Sequence, residues 1–354
     1  MTESTTTAAP GTAEVLEKHR IDPAALARYL ERHVEGFRGP LELWQFRGGQ
    51  SNPTYYLHTP GARYVLRRKP PGKLLPSAHA VDREYRVITA LQGSGVPVPR
   101  TYALCEDADV IGTAFYVMEY VEGRVMPDPR LPGESPAARA AIYDSMNTVL
   151  ARLHTVDWAA VGLGDFGRTG AYVARQVHRW SQQYRASETE RIEAMEHLIE
   201  WLPGHIPPGD ETTLVHGDFR LHNTIVHPTE PRVVAVLDWE LSTLGHPLSD
   251  LAYNCLPFRL PGDVFEGFAG RVPEGIPSEE VYVAAYEKRT GRSGIAHWDF
   301  YVAFSMFRLS AIAQGIMGRV VAGTANDPNA RARGARARPL AELGWRVLEQ
   351  AGAV

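Results

Sequence analysis

The chain has 354 residues, of which 44% are hydrophobic and 22% charged, so it can bury one large or two medium-sized cores without disulfides or structural metals. Its formal net charge of −4 argues against nucleic-acid binding driven by bulk charge. Two cysteines cannot form a disulfide framework, and no uncharged run reaches the roughly 18 apolar residues of a membrane span. The N-terminus does not resemble a signal peptide. We therefore expect a cytoplasmic enzyme that binds neither nucleic acid nor membrane.

The first 121 residues predict a polar tail followed by a small α+β unit. Residues 1–13 are small and polar, and we expect a flexible tail over 1–21. Asp22 and Pro23 predict the start of a helix, as an N-cap and a proline at the first helical position. Glycine and proline turns separate β-like runs, which predicts an antiparallel sheet. The predicted strands are 41–47, 54–59, 63–68 and 115–120, and a helix is predicted over 81–92.

The remainder of the chain predicts a larger, mainly helical unit. Apolar residues recur at helical spacing over 137–155, 172–201, 277–290, 298–320 and 339–350. A compact β-rich insert lies between these helices, from Thr213 to Asp238. The expected outline is an α+β fold of two lobes, placed at 22–121 and 122–354, with the antiparallel sheet in the smaller lobe.

The densest group of residues that could carry chemistry lies in this insert. One apolar run ends at His216 and Asp218 and is followed by Asn223, and a second run, 233–237, ends at Asp238. Asp218 and Asn223 are five residues apart on one loop, so both can face one cavity. A carboxylate there can accept the proton of an attacking hydroxyl, while amide and carboxylate oxygens suit Mg²⁺. The pattern is typical of phosphoryl transfer.

The spacing His-Gly-Asp, four residues, Asn, and then Asp-Trp-Glu 15 residues later resembles the aminoglycoside phosphotransferase family, relatives of choline kinase and of protein kinases. The resemblance covers the chain from about residue 22 to 350. It implies a two-lobed protein-kinase-like fold with the nucleotide in the interlobe cleft. It also implies transfer of the γ-phosphoryl group of ATP, with Mg²⁺, to a hydroxyl of a small molecule.

Carried over to this chain, the resemblance implies specific roles for the motif residues. Asp218 would be the catalytic base, and Asn223 and Asp238 would be the metal ligands. His216, grouped with the catalytic residues, would orient the loop. Asp250 would brace the catalytic loop through hydrogen bonds.

The resemblance also implies nucleotide contacts from the smaller lobe. The residues in the position of the loop that covers the phosphates are Gly48, Gly49, Ser51 and Asn52, although an ordinary hairpin turn would look the same. The residues in the position of the adenine-binding hinge are Met118, Glu119 and Val121, although a core strand with an exposed tail would look the same.

An arginine stands where kinases carry the phosphate-binding lysine. Arg67 occupies this strand position, and Glu84 on the following helix matches its ion-pair partner. Arginine is a permanent, forked cation rather than a point charge. The neighbours Arg68 and Lys69 leave the choice of cation open, and the pair could equally be a surface salt bridge that contributes little.

Two other patterns do not predict a site. The run 162–167 matches the dinucleotide fingerprint but follows a helix rather than a strand, so we interpret it as a loop. His216, His222 and His227 lack a metalloprotease spacing, and we expect no zinc site there.

The acceptor is the open part of the prediction. Segments such as 65–72 and 307–316 resemble the kinase domains fused to acyl-CoA dehydrogenases, which act on hydroxyacyl-CoA thioesters. Arg308 and Arg319 lie among apolar residues of a predicted helix, and an anionic acceptor would be a partner for them. Alternatively, Arg308 pairs with an internal carboxylate and the basic run 331–338 is a solvated face.

Three alternatives to a hydroxyacyl-CoA kinase stay open at this point. They are an aminoglycoside O-phosphotransferase, a nucleotide-binding regulator without turnover, and a protein kinase. The intact Asp218, Asn223 and Asp238 argue against the regulator, and the short distance from Asp238 to Asp250 leaves little room for a long activation segment. The choice between ATP and GTP and the oligomeric state are not determined.

Overall fold

The computed structural model describes residues 8–47, 52–70, 80–262, 264, 267–268, 270–325 and 327–354. The chain divides into two compact units. The smaller unit extends to Gly123 and also contains Val234–Glu240, and the larger unit contains Arg124–Val233 and Leu241–Val354.

An antiparallel sheet forms most of the smaller unit. Its strands are β1 (Thr12–Ala13), β2 (Glu42–Phe46), β3 (Thr54–Thr59), β4 (Ala62–Arg68), β5 (Thr101–Cys105) and β6 (Phe115–Glu119). They lie in the order β1-β2-β3-β4-β6-β5. The helices of this unit are α1 (Pro23–His33), α2 (Val81–Ala90) and α3 (Ala108–Ile111). The side chain of Asp22 caps α1 by accepting a hydrogen bond from Ala24 N at 2.9 Å, as its sequence predicts. Leu26 and Leu30 of α1 pack into the core formed by the sheet.

The segment predicted as a flexible tail, 1–21, contacts the sheet in the part that the structure describes. Strand β1 pairs with β2, with Thr12 opposite Phe46. The carbonyl of His19 accepts hydrogen bonds from Tyr55 Oη at 2.7 Å and from a guanidinium nitrogen of Arg68 at 3.0 Å. Backbone pairing and these side-chain donors therefore hold a segment whose composition suggested no structure.

The predicted boundary between the lobes also needs correction. The prediction of a larger lobe over 122–354 includes residues 234–240, whereas the structure groups them with the smaller unit. Val236 N donates to Pro97 O at 2.9 Å, and Asp238 accepts a hydrogen bond from Arg67 at 2.9 Å. A segment distant in sequence thus becomes part of the smaller unit through hydrogen bonds that sequence spacing does not reveal.

The larger unit is mainly helical. Its first elements are α4 (Pro136–Thr155), α5 (Tyr172–Ala186), α6 (Glu193–Trp201), β7 (Thr213–Val215) and β8 (Thr224–Val226). Strand β9 (Val233–Val236) is divided between the units, because Val233 belongs to the larger unit and the rest of the strand belongs to the smaller unit. The later elements are β10 (Thr243–Gly245), α7 (Pro247–Asn254), α8 (Leu256–Arg259), α9 (Glu279–Thr290), α10 (Trp298–Val321), α11 (Ala330–Gly334) and α12 (Ala337–Gln350).

One predicted helix is two helices in the structure. The prediction of a single helix over 172–201 is wrong, because the chain leaves the helical path between α5 and α6. The carbonyl of Ser187 accepts a hydrogen bond from Gln314 Nε2 at 2.8 Å, and Ile192 N donates to Tyr184 Oη at 3.3 Å. These bonds satisfy backbone groups that a continuous helix would have paired internally.

Helix α10 is the central element of the larger unit and packs against α5, α7, α11 and α12. It is the one helix in the described ranges that is long and apolar enough to cross a membrane, and 83% of that apolar window is buried inside the protein. Such burial is expected of a core helix that is hydrophobic on all sides.

Candidate active site

The loop that carries the predicted catalytic motif follows strand β7, which pairs in antiparallel fashion with β10. Gly217, the second residue after the strand, has φ of +82°. A Cβ atom at this position would lie 2.6 Å from the carbonyl oxygen of Leu241. Both the left-handed backbone and the close approach therefore require glycine at this position.

Asp250 holds the backbone of this loop. Its Oδ2 accepts a hydrogen bond from His216 N at 2.7 Å, and its Oδ1 accepts one from Gly217 N at 2.9 Å. Burial alone would raise the pKa of Asp250, but the hydrogen bond and charge of His154, followed by His216, hold that pKa below its ordinary value. A buried, ionised carboxylate therefore orients two consecutive peptide groups, in the place that the family resemblance implied.

His216 acts on the loop and not on the cavity. Its side chain is fully buried, and its Nδ1 accepts a hydrogen bond from Asp218 N at 3.2 Å. This hydrogen bond lies within the loop, and His216 is not among the described residues that line the cavity at Asp218, so its loop-orienting role stays a prediction.

The carboxylate of Asp218 is held at both oxygens. Asn223 Nδ2 donates to Oδ2 at 2.8 Å and to the backbone carbonyl of Asp218 at 2.9 Å. Tyr253 Oη donates to Oδ1 at 2.5 Å, and Arg220 Nε lies 3.4 Å from the same oxygen. Asp218 and Asn223 therefore meet as their spacing predicts, while Tyr253 and Arg220 were not predicted.

Asp218 lines a cavity of about 280 Å³ in the larger unit. Arginines contribute much of the lining: Arg220, Arg308, Arg333 and Arg336. The apolar part consists of Leu241, Leu309, Ile312, Ala313, Ile316 and Leu340. In the described part of this cavity Asp218 is the only carboxylate, so the cavity combines one acidic group with a cationic and apolar wall.

Arg308, a predicted substrate-binding residue, is buried beside the loop that carries Asp218. One of its terminal nitrogens donates to Gly217 O at 2.6 Å. Its guanidinium lies over the rings of Tyr253 and Trp180, 5.3 Å and 5.8 Å from their centroids. Within the described ranges it has no carboxylate partner, so the alternative of an internal ion pair is not what the structure shows.

The other predicted substrate-binding arginine lies elsewhere. Arg319 is exposed in the last turn of α10, beyond Ile316, and does not line the cavity that holds Asp218. Arg333 and Arg336 of the basic run line it instead. The order of helices α10 to α12 decides this placement, because residues far apart in sequence reach the same cavity.

The smaller unit contains a buried ionic cluster. A terminal nitrogen of Arg67 donates to Asp238 Oδ1 at 2.9 Å, and Arg67 Nε lies 3.3 Å from Glu84 Oε2. Tyr116 Oη donates to Glu84 Oε2 at 3.0 Å, and Asn52 Nδ2 donates to Glu84 Oε1 at 2.9 Å. Asp238 itself has a left-handed backbone, with φ of +65°. Arg67, the predicted phosphate-binding cation, and Asp238, a predicted metal ligand, thus belong to one hydrogen-bonded network.

The structure identifies the cation that pairs with Glu84. Successive side chains of β4 point to opposite faces of the sheet. Arg67 therefore reaches Glu84, whereas Arg68 bonds His19 O on the other face and Lys69 lies 3.6 Å from Asp82. Glu84 is fully buried, and burial raises its pKa to about 7 even though Arg67 favours the charged form. The pair is therefore not a surface salt bridge.

The remaining predicted nucleotide residues are placed only in part. Gly48, Gly49 and Ser51 lie outside the described residues. Met118 is buried in β6, and the backbone N–H of Glu119 donates to Arg100 O at 2.7 Å. Val121 is half-buried just beyond the strand, and no described residue bonds its backbone N–H. Any main-chain donor to a ligand in this segment is therefore Val121 rather than Glu119.

An antiparallel N-terminal sheet, a helical C-terminal unit and an Asp-x₄-Asn loop braced by a buried aspartate define a protein-kinase-like phosphotransferase. The chain belongs to the phosphotransferase enzyme family, whose model matches residues 42–303. The predicted family, the α+β kinase-like fold and the activity of a phosphotransferase with an alcohol group as acceptor are thereby confirmed.

Individual proteins are similar over almost the whole chain. Acyl-CoA dehydrogenase family member 10 of Mus musculus is 49% identical over 348 residues, which make up 97% of this chain and 33% of that protein. This match confirms the predicted branch, because kinase-like regions accompany acyl-CoA dehydrogenases there. The chain spans less than half the length of such curated relatives.

Solved structures share the fold. A crystal structure from Ralstonia eutropha, assigned as an aminoglycoside phosphotransferase, is 55% identical with a TM-score of 0.87, and the match covers 94% of this chain and 99% of that chain. A thermostable mutant of aminoglycoside phosphotransferase APH(4)-Ia in ternary complex with ADP and hygromycin B is 15% identical with a TM-score of 0.60. The second match covers 90% of this chain and 97% of that chain, and at this identity it supports the fold alone.

Proposed function

We propose that this enzyme transfers the γ-phosphoryl group of ATP to the hydroxyl of an anionic small molecule, with a hydroxyacyl-CoA thioester as the favoured acceptor. The observation that carries the proposal is the cavity at Asp218. A carboxylate held at both oxygens lies in the wall of a cavity that four arginines also line. An acceptor hydroxyl could donate to the carboxylate while anionic groups of the same molecule bind the guanidinium groups.

Asp218 is the proposed catalytic base. It needs to accept the proton of the acceptor hydroxyl as the bond from oxygen to phosphorus forms and the bond to the ADP leaving group breaks. Asn223 and Tyr253 each donate a hydrogen bond to this carboxylate. Most of the catalysis is then positioning and charge stabilisation, as is general for phosphoryl transfer.

ATP and Mg²⁺ are the proposed cofactors. Asn223 uses its amide nitrogen to bond Asp218, so its amide oxygen keeps its lone pairs for a metal ion. Asp238 is partly exposed and uses Oδ1 to bond Arg67, so Oδ2 can serve as a ligand. Hard oxygen donors of this kind fit Mg²⁺, which neutralises charge on the nucleotide phosphates. In the smaller unit, Arg67 and Asn52 are proposed to contact the phosphates, with Glu84 orienting Arg67, and Val121 to contact the adenine.

The acceptor class follows from the charge of the cavity. Four arginines against one carboxylate would repel a polycationic aminoglycoside and attract a phosphate or carboxylate. The apolar stripe formed by Leu309, Ile312 and Ile316 lies on one face of α10 and suits an acyl chain. A CoA thioester of a hydroxy acid combines both features. An aminoglycoside acceptor has no comparable support in this cavity.

The test is an ATP-dependent phosphorylation screen on the purified protein. The acceptors are hydroxyacyl-CoA thioesters of different chain length, the corresponding free hydroxy acids, and kanamycin. We expect a phosphorylated hydroxyacyl-CoA, and we expect Asp218→Asn to lower its kcat by about 10²–10⁴-fold while Mg-ATP still binds. Phosphorylation of kanamycin alone, or a rate for Asp218→Asn above about a tenth of wild type, would contradict the proposal.

Two predictions made from the sequence belong with this proposal. A cytoplasmic location is tested by cell fractionation of the native host. The absence of nucleic-acid binding is tested by a mobility-shift assay at low salt, where charge-driven binding is strongest.

A further inference from the structure

Tyr253 contacts the carboxylate of Asp218 directly, and the family resemblance assigns it no role. Its hydroxyl donates to Asp218 Oδ1 at 2.5 Å, and the side chain is buried in α7. We propose that Tyr253 is a positioning residue that fixes the rotation of the Asp218 carboxylate, so that a lone pair faces the acceptor hydroxyl. The inference rests on the proposed function, in which Asp218 is the base.

A carboxylate needs two anchors to hold its plane. The terminal torsion of an aspartate is broad, so one hydrogen bond leaves the group free to turn. Asn223 anchors Oδ2 at 2.8 Å, and Tyr253 anchors Oδ1. Arg220 Nε lies 3.4 Å from Oδ1. Without the tyrosine hydroxyl, this guanidinium would be the remaining described donor at Oδ1 and would compete with the acceptor hydroxyl for the lone pairs of that oxygen.

The surroundings of Tyr253 prevent its ring from moving away. Tyr253 lies one helical turn after Asp250 on α7, so one helix carries both the brace of the loop backbone and the anchor of the loop side chain. The guanidinium of Arg308 lies over the ring and also donates to Gly217 O at 2.6 Å. Trp180 packs on the same guanidinium. The hydroxyl therefore keeps one position relative to Asp218.

Tyr253 lines two cavities of the larger unit, the cavity of about 280 Å³ that holds Asp218 and a small cavity of about 30 Å³. The hydroxyl stays protonated, because burial and the adjacent carboxylate of Asp218 both raise the pKa of Tyr253 above its ordinary value. Tyr253 thus acts as a hydrogen-bond donor and does not accept the proton of the acceptor.

A different role would give a different kinetic signature. If the tyrosine hydroxyl occupied the place of the acceptor hydroxyl and left on binding, its removal would lower the KM of the acceptor and leave kcat unchanged. If it positions the base, its removal lowers kcat and leaves KM nearly unchanged, because the interaction matters in the transition state.

The experiment compares Tyr253→Phe with wild type, using Mg-ATP and the hydroxyacyl-CoA with the highest kcat/KM in the screen above. We expect kcat to fall by about 10- to 100-fold, with both KM values within about twofold of wild type. The control is Tyr184→Phe, because Tyr184 is also buried in the same unit and its hydroxyl accepts a hydrogen bond from Ile192 N. We expect this control to keep wild-type kinetics.

Two further variants keep the test decisive. p-Aminophenylalanine at position 253 keeps the ring and a donor, so we expect kcat within about threefold of wild type even if Tyr253→Phe folds poorly. In the Asp218→Asn background, Tyr253→Phe should cause no further loss, because Tyr253 acts through the carboxylate. Wild-type kcat in Tyr253→Phe, a change in KM alone, a loss with p-aminophenylalanine as large as that of Tyr253→Phe, or an additive loss in the double variant would overturn the inference. Full activity of Asp218→Asn would instead overturn the proposed function.

Discussion

The guanidinium of Arg67 bridges two carboxylates, with a terminal nitrogen 2.9 Å from Asp238 Oδ1 and Nε 3.3 Å from Glu84 Oε2. Asp238 is 171 residues away in sequence and belongs to the same compact unit. A lysine has a single ammonium group and cannot present two nitrogens in a fixed fork. The arginine at this strand position is therefore a structural requirement of the cluster as well as a candidate phosphate ligand.

We expect Arg67→Lys to lower the free energy of unfolding by about 1–3 kcal/mol, because one buried carboxylate loses its charged donor. Chemical denaturation followed by circular dichroism measures the change. The matched control is Arg63→Lys on the same strand, whose partner Glu122 is exposed. This control should change stability by less than about 1 kcal/mol, because exposed pairs contribute little. Equal effects of the two substitutions would show that the fork at Arg67 has no special role.

Asp238→Ala should abolish Mg²⁺-dependent ATP binding, and Asn223→Ala should weaken it at least about tenfold, because each removes a hard oxygen ligand. Calorimetric titration with ATP, in the presence of Mg²⁺ and then of EDTA, measures both effects. Asp144→Ala is the control, since Asp144 is exposed and pairs with Arg289. Unchanged affinity and unchanged Mg²⁺ dependence in both variants would remove the metal-site assignment.

The double substitution Arg333→Ala with Arg336→Ala should raise the KM of a hydroxyacyl-CoA by about tenfold or more, because two charge-assisted contacts to an anion are lost. kcat and the KM of Mg-ATP should stay near wild type. The control is Arg331→Ala with Arg338→Ala, which removes the same charge from the same run but outside the cavity. The wild-type KM should rise with added salt, and the difference between the two double variants should shrink. An equal rise in KM for both would indicate general attraction instead of specific contacts.

The stability of the protein should fall on the acid side through His246. Its Nδ1 caps α7 by accepting a hydrogen bond from Leu248 N, and burial lowers its pKa from 6.5 to about 4. The unfolded chain therefore binds a proton below pH 6.5 that the folded chain does not bind until about pH 4. Stability is fully present above pH 6.5 and is lost as the pH falls through this window. The expected loss is about 2 kcal/mol at pH 5 relative to pH 8.

His246→Asn tests this, because asparagine can cap the helix without titrating. Urea unfolding at pH 8 and pH 5 should show a smaller pH dependence in this variant than in wild type. His178→Asn replaces an exposed histidine on α5 and should retain the wild-type dependence. A wild-type pH dependence in His246→Asn would assign the acid sensitivity to other groups.

Local spacing and periodicity in the sequence were sufficient for the family, the fold class and the contact between Asp218 and Asn223. Asp218 and Asn223 are five residues apart on one short loop, so the sequence alone brings them together, and their contact at 2.8 Å confirms it. Helix α1 begins where Asp22 and Pro23 predict, because capping depends on adjacent residues. Strand β5 is not among the predicted strands, because it has only five residues, follows Pro97 and Pro99, and pairs with a strand that local sequence does not reveal.

Tertiary structure alone decided which distant side chains meet. Tyr253 reaches Asp218 because α7 begins at Pro247 and places residues 250 and 253 on one face, so a helix start signal after His246 could have revealed it. No local signal indicates that Arg67 meets Asp238, that 234–240 joins the smaller unit, or that Arg333 and not Arg319 lines the cavity. Periodicity specifies which face of an element is apolar, whereas the partner of that face depends on how the whole chain packs.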